Sequence, residues 1–308
     1  MKEEFIMPNG QNLEYKDDYV QSANTLFHFM KEREYLIKAL NDKALKPRYC
    51  MEDIDYININ DLSGNKIKEV AVLQKCFCDI PLHKLMAKFE ITISSDEEIL
   101  DMEKKYKYEN EYNTHPGCYG TFAVGFSKSW SVSHGLQPII YLNKSSTFLN
   151  EYRCSFEKIL NSKDIDDMFV DDLIGRLSYF KPLQGNMVRK IDGKIIKFDK
   201  NFHDEKEWRY IPSNEMLEKV ELQRVISKPI IKRNLEAINK NIEMSKYESI
   251  WLKFDYEDIK YIIVPSVFER DEMIKCILDM EIEKFKDVFQ RNVLISKILV
   301  LDDIRKDW

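Results

Sequence analysis

The chain has 308 residues, of which 32% are charged and 12% aromatic, and its formal net charge is −6. This composition predicts a folded globular chain rather than a disordered one, with one large domain or two small ones. Without a basic block there is no direct nucleic-acid signature, and no apolar run reaches the roughly 18–20 residues of a membrane span. The first residues lack the features of a signal peptide, so we expect a cytoplasmic protein without a membrane partner.

Short apolar runs bounded by turn residues predict the strands. We expect about seven to nine short strands interspersed with helices, without the regular strand–helix alternation of a doubly wound sheet. The pattern therefore favours a single α+β domain over residues 23–308, with mixed or antiparallel sheets and peripheral helices, preceded by an N-terminal arm at residues 1–22. The central strands are predicted at residues 25–30, 70–78, 121–126 and 207–211.

Helical spacing of apolar residues predicts helices between the strands. Three charged or amphipathic segments are expected to form helical insertions, near residues 94–113, 145–180 and 214–245. An amphipathic helix is predicted at residues 269–280, and the apolar run at residues 291–301 is predicted to be a final strand.

Two polar residues are predicted to begin helices. Asp79 precedes a helix expected over Leu82–Phe89, and Ser127 precedes one over Lys128–His134 that Gly135 would end. Both residue types accept hydrogen bonds from free backbone N–H groups at a helix start.

The six cysteines are irregularly spaced. Cys76 and Cys78 would point to one side of a strand, with His83 nearby, which allows a metal site. Because the spacing is not that of a zinc or redox motif, we expect no metal and interpret these thiols as small buried hydrophobes.

The most informative stretch is residues 201–212, which is dense in charged and aromatic residues. If it is extended, Glu205, Glu207 and Arg209 share one face, because side chains alternate along a strand. One interpretation is a chemical site with two carboxylates. The other is a Glu–Arg ion pair on the face of an edge strand.

Two further residues have alternative interpretations. His28 lies between two phenylalanines and is either a hydrogen-bonded core histidine or a ligand-binding group. Arg48 follows a proline and either binds a phosphate through two hydrogen bonds or pairs with Glu52 or Asp53.

Four segments of the chain are distinctive when taken in order, and three of their motifs are the most specific: C-F-C-D-I-P at residues 76–81, G-F-S-K-S-W at 125–130 and E-W-R-Y-I-P at 207–212. Together the segments resemble the bacterial AbiGi family, which is named for abortive phage resistance and described as the antitoxin partner of its operon. The resemblance extends from residue 25 to about residue 301. It implies a role in anti-phage defence and a partner protein, either a toxin or another defence component.

A second resemblance is to the ADP-ribosyltransferase fold. Glu205-Lys206-Glu207 matches the E-x-E motif of one branch, and His28 matches the histidine of its early strand. This resemblance implies NAD as cofactor, with His28, Glu205 and Glu207 as catalytic residues and His28, Arg48 and Arg209 as NAD-binding residues. Where that fold has a serine-containing strand, this chain has Cys76-Phe77-Cys78.

Two functions follow as hypotheses. The first is an interaction protein, an antitoxin or regulator of a partner toxin. The second is an NAD-dependent enzyme in which Glu207 stabilises a ribosyl cation and Glu205 orients the acceptor.

Overall fold

The computed structural model describes residues 22–61, 63–89, 92–94, 107–108, 110–160, 167–191, 194–227 and 234–307. The strands in these residues are β1 (Thr25–Met30), β2 (Ala44–Leu45), β3 (Arg48–Asp53), β4 (Glu69–Cys78), β5 (Thr92–Ser94), β6 (Phe122–Ser127), β7 (Gln137–Pro138), β8 (Ile140–Leu142), β9 (Phe180–Pro182), β10 (Gln184–Ile191), β11 (Lys194–Asn201), β12 (Glu207–Tyr210), β13 (Val225–Ser227), β14 (Leu252–Lys253), β15 (Ile259–Val264) and β16 (Ile298–Val300). The α-helices are α1 (Arg33–Asp42), α2 (His115–Tyr119), α3 (Lys128–Ser133), α4 (Thr147–Leu160), α5 (Asp167–Arg176), α6 (Asn214–Glu218), α7 (Leu235–Ile242), α8 (Val267–Leu278), α9 (Val288–Ser296) and α10 (Leu301–Asp307).

The main sheet is mixed. Its strand order is β16-β15-β6-β1-β4-β12-β7, and β3 and β13 also pair with β4. Neighbouring strands are antiparallel, except that β15 and β16 run parallel. The predicted α+β class is confirmed, and so are the four predicted central strands, which the structure places at β1, β4, β6 and β12.

The long strand β4 organises this sheet. On one edge it pairs first with β1, through Phe27 opposite Cys78, and then with β3, through Arg48 opposite Gln74. Strands β12 and β13 follow each other along the opposite edge. Because the chain leaves the sheet between β1 and β3 to form α1 and β2, residues 75–77 of β4 face a gap between these two strands.

Both faces of the sheet are covered by apolar side chains. Leu26, Val124 and Ile262 point to the face that carries the largest core, which also contains Met273 of α8 and Leu294 of α9. The neighbouring residues of the same strands point to the other face, where they form a smaller core: Phe27, Ala123 and Ile263. This is the alternation that the strand residues predicted.

The C-terminal segment corrects one expectation. Residues 291–301 are not one strand: α9 occupies Val288–Ser296, and only Ile298–Val300 forms the strand β16. The Asp287 side chain begins the helix by accepting a hydrogen bond of 2.7 Å from the Gln290 N–H group. A short run of Val, Leu and Ile is compatible with the apolar spacing of a helix and with that of a strand. The N-cap at Asp287 favours the helix.

The segment after Asp79 corrects a second expectation. Only Leu82–Lys84 forms a helical turn, of the 3-10 type, where a helix to Phe89 was expected. Asp79 does not cap it. Its carboxylate is buried, accepts the Ala23 N–H at 2.9 Å and pairs with the Lys128 ammonium at 2.6 Å.

The predicted N-cap at Ser127 is confirmed, since its hydroxyl accepts the Trp130 N–H at 3.2 Å. The expected insertion at residues 145–180 contains α4 and α5, whereas that at 214–245 contains the strand β13 as well as helices. The expected N-terminal arm lies outside the described residues except for Ser22. Most of the insertion near 94–113 also lies outside them.

We expect Leu294→Ala to lower the free energy of unfolding by about 2–5 kcal/mol, because its fully buried side chain joins α9 to the main core. The matched control is Phe289→Ala in the same helix, where the ring is 74% exposed. Urea unfolding monitored by circular dichroism measures both. Equal effects of the two substitutions would contradict this packing of α9.

Candidate functional site

The candidate site is built on β12. Glu207 and Arg209 alternate on this strand with Trp208 and therefore share a face, as the sequence predicted. The Arg209 Nε donates to the Glu207 carboxylate at 2.6 Å, and the Arg209 side chain has no exposed surface. A guanidinium removed from water requires such partners, because an uncompensated buried charge is strongly destabilising.

Arg209 has two further partners on other elements. One terminal nitrogen donates to the Ser178 carbonyl at 2.7 Å, and the other donates to the Glu52 carboxylate of β3 at 3.0 Å. Glu52 also accepts a hydrogen bond of 2.6 Å from the Gln74 amide. The sequence-based alternative that paired Arg48 with Glu52 is therefore corrected, since Arg209 takes this carboxylate.

Glu205 does not lie on the strand. It ends a 3-10 turn at Phe202–Glu205, and Lys206 follows in the left-handed conformation with φ of 44°. The expectation that Glu205 and Glu207 share a strand face is therefore wrong, because this backbone turn interrupts the alternation. The two carboxylates meet through a shared cation instead.

That cation is Lys181 of β9. Its ammonium donates to Glu205 at 2.7 Å and to Glu207 at 2.8 Å. On its other side Glu205 pairs with the buried Lys200 ammonium at 2.7 Å and accepts the Tyr119 hydroxyl. We call the six charged residues of this network the ionic cluster: Glu52, Lys181, Lys200, Glu205, Glu207 and Arg209.

The ionic cluster is neutral, with three carboxylates and three cations. Burial by itself would raise the pKa of the Glu205 carboxyl, but Lys181 and Lys200 lower it well below its usual range. For Glu207, Arg209 and Lys181 likewise outweigh burial and lower the pKa. Both carboxylates are therefore ionised and fully engaged at neutral pH.

Next to the ionic cluster lies a cleft of about 880 Å³ at the gap between β1 and β3. Its walls include four of the residues singled out in the sequence, His28, Arg48, Glu205 and Glu207. Arg209 lies behind this wall, without exposed surface. Arg48 is exposed, and its side chain makes no hydrogen bond or ion pair with the described residues.

His28 and Glu207 approach this cleft from opposite faces of the sheet. Phe27, Cys78 and Glu207 are lateral partners across three strands, so their side chains share a face. His28 follows Phe27 and points to the other face, where its ring lies 5.6 Å from that of Phe77. The structure thus corrects the expectation that His28 joins the carboxylates on one side of a pocket.

The His28 ring has a partner of its own. Its Nδ1 donates to the Cys76 carbonyl at 2.7 Å, because only an N–H group can donate to a carbonyl. Burial, with a contribution from Lys75, lowers the pKa of His28 well below its usual value. The ring is therefore neutral, and this hydrogen bond fits the alternative of a satisfied histidine.

Sequence reasoning missed the lysines of the ionic cluster. Lys181 and Lys200 lie on β9 and β11, outside every motif, and their bonding to Glu205 depends on tertiary packing. A weak signal existed in Lys200, which immediately precedes the charged stretch at residues 201–212.

The described residues contain no group of three or more His, Cys, Asp or Glu side chains that could hold a metal ion. Cys76 and Cys78 are free thiols, and burial raises the pKa of both. No helix within the described ranges is long and apolar enough to cross a membrane.

Fold and site together define an α+β protein with a mixed sheet, a gap between β1 and β3 along one edge of β4, and a neutral buried ionic cluster. A family model described as "Putative abortive phage resistance protein AbiGi, antitoxin" matches residues 107–265. The abortive phage resistance protein AbiGi of Lactococcus lactis subsp. cremoris is 32% identical over 275 residues, which cover 86% of this chain and 100% of that protein. The chain therefore belongs to the AbiGi family of abortive phage resistance proteins, as its motifs indicated.

No solved structure matches the chain significantly. The resemblance to the ADP-ribosyltransferase fold therefore gains no support from known structures.

We expect Glu207→Gln to lower the free energy of unfolding by about 3–5 kcal/mol, because it leaves Arg209 buried with one counter-charge fewer. The control is Glu215→Gln, the same substitution in an exposed pair with Lys219 at 2.8 Å, which should change stability little. Chemical denaturation at pH 7 measures both. A Glu207→Gln protein as stable as the control would show that Arg209 does not need this carboxylate.

The ionic cluster should also make stability depend on pH. The pKa values of Glu205 and Glu207 are lower in the folded than in the unfolded chain, so their contribution is complete above about pH 5 and is lost as pH falls through the folded values. Burial lowers the pKa of His115 to about 3, which adds a loss that begins near the ordinary histidine value of about 6.5.

Lys181→Met removes the shared cation, so the pKa values of both carboxyls should rise towards normal. We therefore expect a shallower fall of the free energy of unfolding between pH 5 and pH 3 than in the wild type. Lys219→Met, in an exposed ion pair, serves as control. Identical pH slopes for wild type and Lys181→Met would contradict the assignment.

Proposed function

We propose that this chain acts in phage defence as an antitoxin, by binding and neutralising a toxin partner. The observation that carries the proposal is its membership of the AbiGi family, whose model description includes the word antitoxin. The alignment covers the full length of the Lactococcus relative. The comparison therefore concerns that whole protein and not one part of it.

The ionic cluster weighs against catalysis by its carboxylates. A carboxylate that stabilises a cationic transition state must present its charge to the substrate. In this chain the charge of Glu207 is shared by Arg209 at 2.6 Å and Lys181 at 2.8 Å. Its carboxylate therefore stabilises the fold and has little charge left to act on a ligand.

The surface offers a region suited to a protein partner. Of the twelve large apolar side chains exposed in the described part of the chain, six fall between residues 267 and 289. Phe268 at the start of α8 and Phe289 at the start of α9 are 67% and 74% exposed. Concentrations of exposed apolar residues mark interaction sites more often than scattered ones do.

The alternative proposal is NAD-dependent ADP-ribosyl transfer. One observation favours it, since His28, Arg48, Glu205 and Glu207 line one cleft. Two features of the structure weigh against it. Both carboxylates are paired, and His28 approaches from the opposite face of the sheet. We therefore favour the antitoxin proposal.

Co-expression with the toxin of the same operon tests the proposal. We expect the wild-type chain to restore growth of a host that expresses the toxin and to co-purify with it. Phe289→Ser should weaken both effects without loss of stability, because its ring is exposed. Phe148→Ser, at a ring that is 49% exposed in α4, is the matched control.

Absence of a complex, with toxicity undiminished by the wild type, would contradict the antitoxin role. Transfer of labelled ADP-ribose from NAD by the purified chain, abolished in a folded Glu207→Gln variant, would favour the enzyme instead.

A further inference from the structure

Lys75 is an exception among the charged residues. Within the described part of the chain, every other Lys, Arg, Asp or Glu side chain that is buried or half-buried has an interaction partner. Lys75 is half-buried on β4, and its side chain makes neither a hydrogen bond nor an ion pair with any described residue. Burial is the main cause that lowers the pKa of its ammonium group to about 8.

This lysine lies where the sheet opens. It occupies the stretch of β4 that β1 and β3 leave uncovered, and it lines the cleft of about 880 Å³. Arg48 of β3 lies opposite Gln74, the residue before Lys75, so Arg48 and Lys75 leave the sheet from opposite faces and line the cleft from its two sides. Arg48 lines the same cleft and also lacks an ionic partner among the described residues.

The carboxylates of the cleft do not offset these cations. Glu52, Glu205 and Glu207 are neutralised within the ionic cluster. Asp53 and Glu69 face each other at the far end of β3 and β4. Glu69 is six residues from Lys75, or about 20 Å at the rise of a strand. Arg48 and Lys75 therefore place two cations without ionic partners among the described residues at one end of the cleft, away from Asp53 and Glu69, and Lys144 adds a third cation to its lining.

We propose that this end of the cleft binds a phosphate-bearing small molecule in the gap of the sheet, with Lys75 as its ligand from one face and Arg48 as its ligand from the other. Arginine offers a planar fork of N–H groups and lysine a compact charge, and both are common partners of phosphate oxygens. The cleft has the size of small-molecule sites in proteins. This inference is independent of the antitoxin role, since it concerns a different surface and a different ligand.

His28 completes this end of the cleft. Its Nδ1–H is held by the Cys76 carbonyl at 2.7 Å, so the neutral ring presents Nε2 as an acceptor. At neutral pH the phosphate group of an ester is mostly doubly ionised and accepts hydrogen bonds, whereas an alcohol hydroxyl can donate one to such an acceptor. We therefore infer that the bound molecule carries a hydroxyl group beside its phosphate.

Isothermal titration calorimetry of the full chain with inorganic phosphate, pyrophosphate and adenosine monophosphate tests the site. We expect binding of at least one of these by the wild type, and a loss of about 10-fold to 100-fold in affinity in Lys75→Met, as for a hydrogen bond between charged groups. Lys68→Met, at an exposed lysine just before β4, should bind as the wild type does.

Stability separates this proposal from a structural role. Without ligand, Lys75→Met should melt at the same temperature as the wild type or higher, because an unpaired half-buried ammonium loses hydration without compensation. If Lys75→Met fails to fold, a weaker affinity of Arg48→Gln for the same probe supports the site, since Arg48 is exposed.

Three results would overturn the proposal. In the first, no probe binds at millimolar concentration. In the second, the cleft variants bind the probes as tightly as the wild type does, and in the third, citrate binds as tightly as the phosphates do.

Discussion

The burial of the Arg209 guanidinium is the constraint on which the rest of the site depends. A cation without exposed surface must find counter-charges and acceptors inside the protein, and Arg209 finds them on three elements: β12 itself, the turn that carries Ser178, and β3. Its contacts therefore join segments that are far apart in sequence and fix how β12 lies beside β4. Lys181 and Lys200 neutralise Glu205 in the same way, so the ionic cluster as a whole carries no net charge.

This neutrality has a functional consequence. Carboxylates that hold their protons less tightly than usual, because cations surround them, are poor general bases and poor sources of free negative charge. Glu205, Glu207 and Arg209, the buried charges of the stretch at residues 201–212, are thus part of the interior, and we expect functional surfaces elsewhere. One is the exposed apolar set on the C-terminal helices, which suits a protein partner. The other is the cationic end of the cleft.

The cleft arises from chain topology. β4 is longer than either strand on its β1–β3 edge, and the excursion through α1 and β2 separates those two strands. The gap leaves Lys75 half-buried across the sheet from Arg48, whereas the other buried or half-buried charged side chains in the described part of the chain have partners. Because the ionic cluster nearby is neutral, the unpaired charges of Lys75 and Arg48 are a stronger reason to propose a ligand than the charge of any single residue would be.

The sequence by itself determined the α+β class, the four central strands, the Ser127 cap and the family. Each of these depends on local spacing, on capping chemistry or on ordered motifs, all of which are present in the linear chain. It also identified Glu207 and Arg209 as a pair on one face, because a strand alternates whatever surrounds it. The tertiary structure alone decided which charges Lys181 and Lys200 neutralise, that Glu205 lies in a turn, and that His28 points away from the carboxylates. Those outcomes depend on strand register and on a left-handed residue at Lys206, and a one-residue change in register or a single turn moves a side chain to the other face of a sheet.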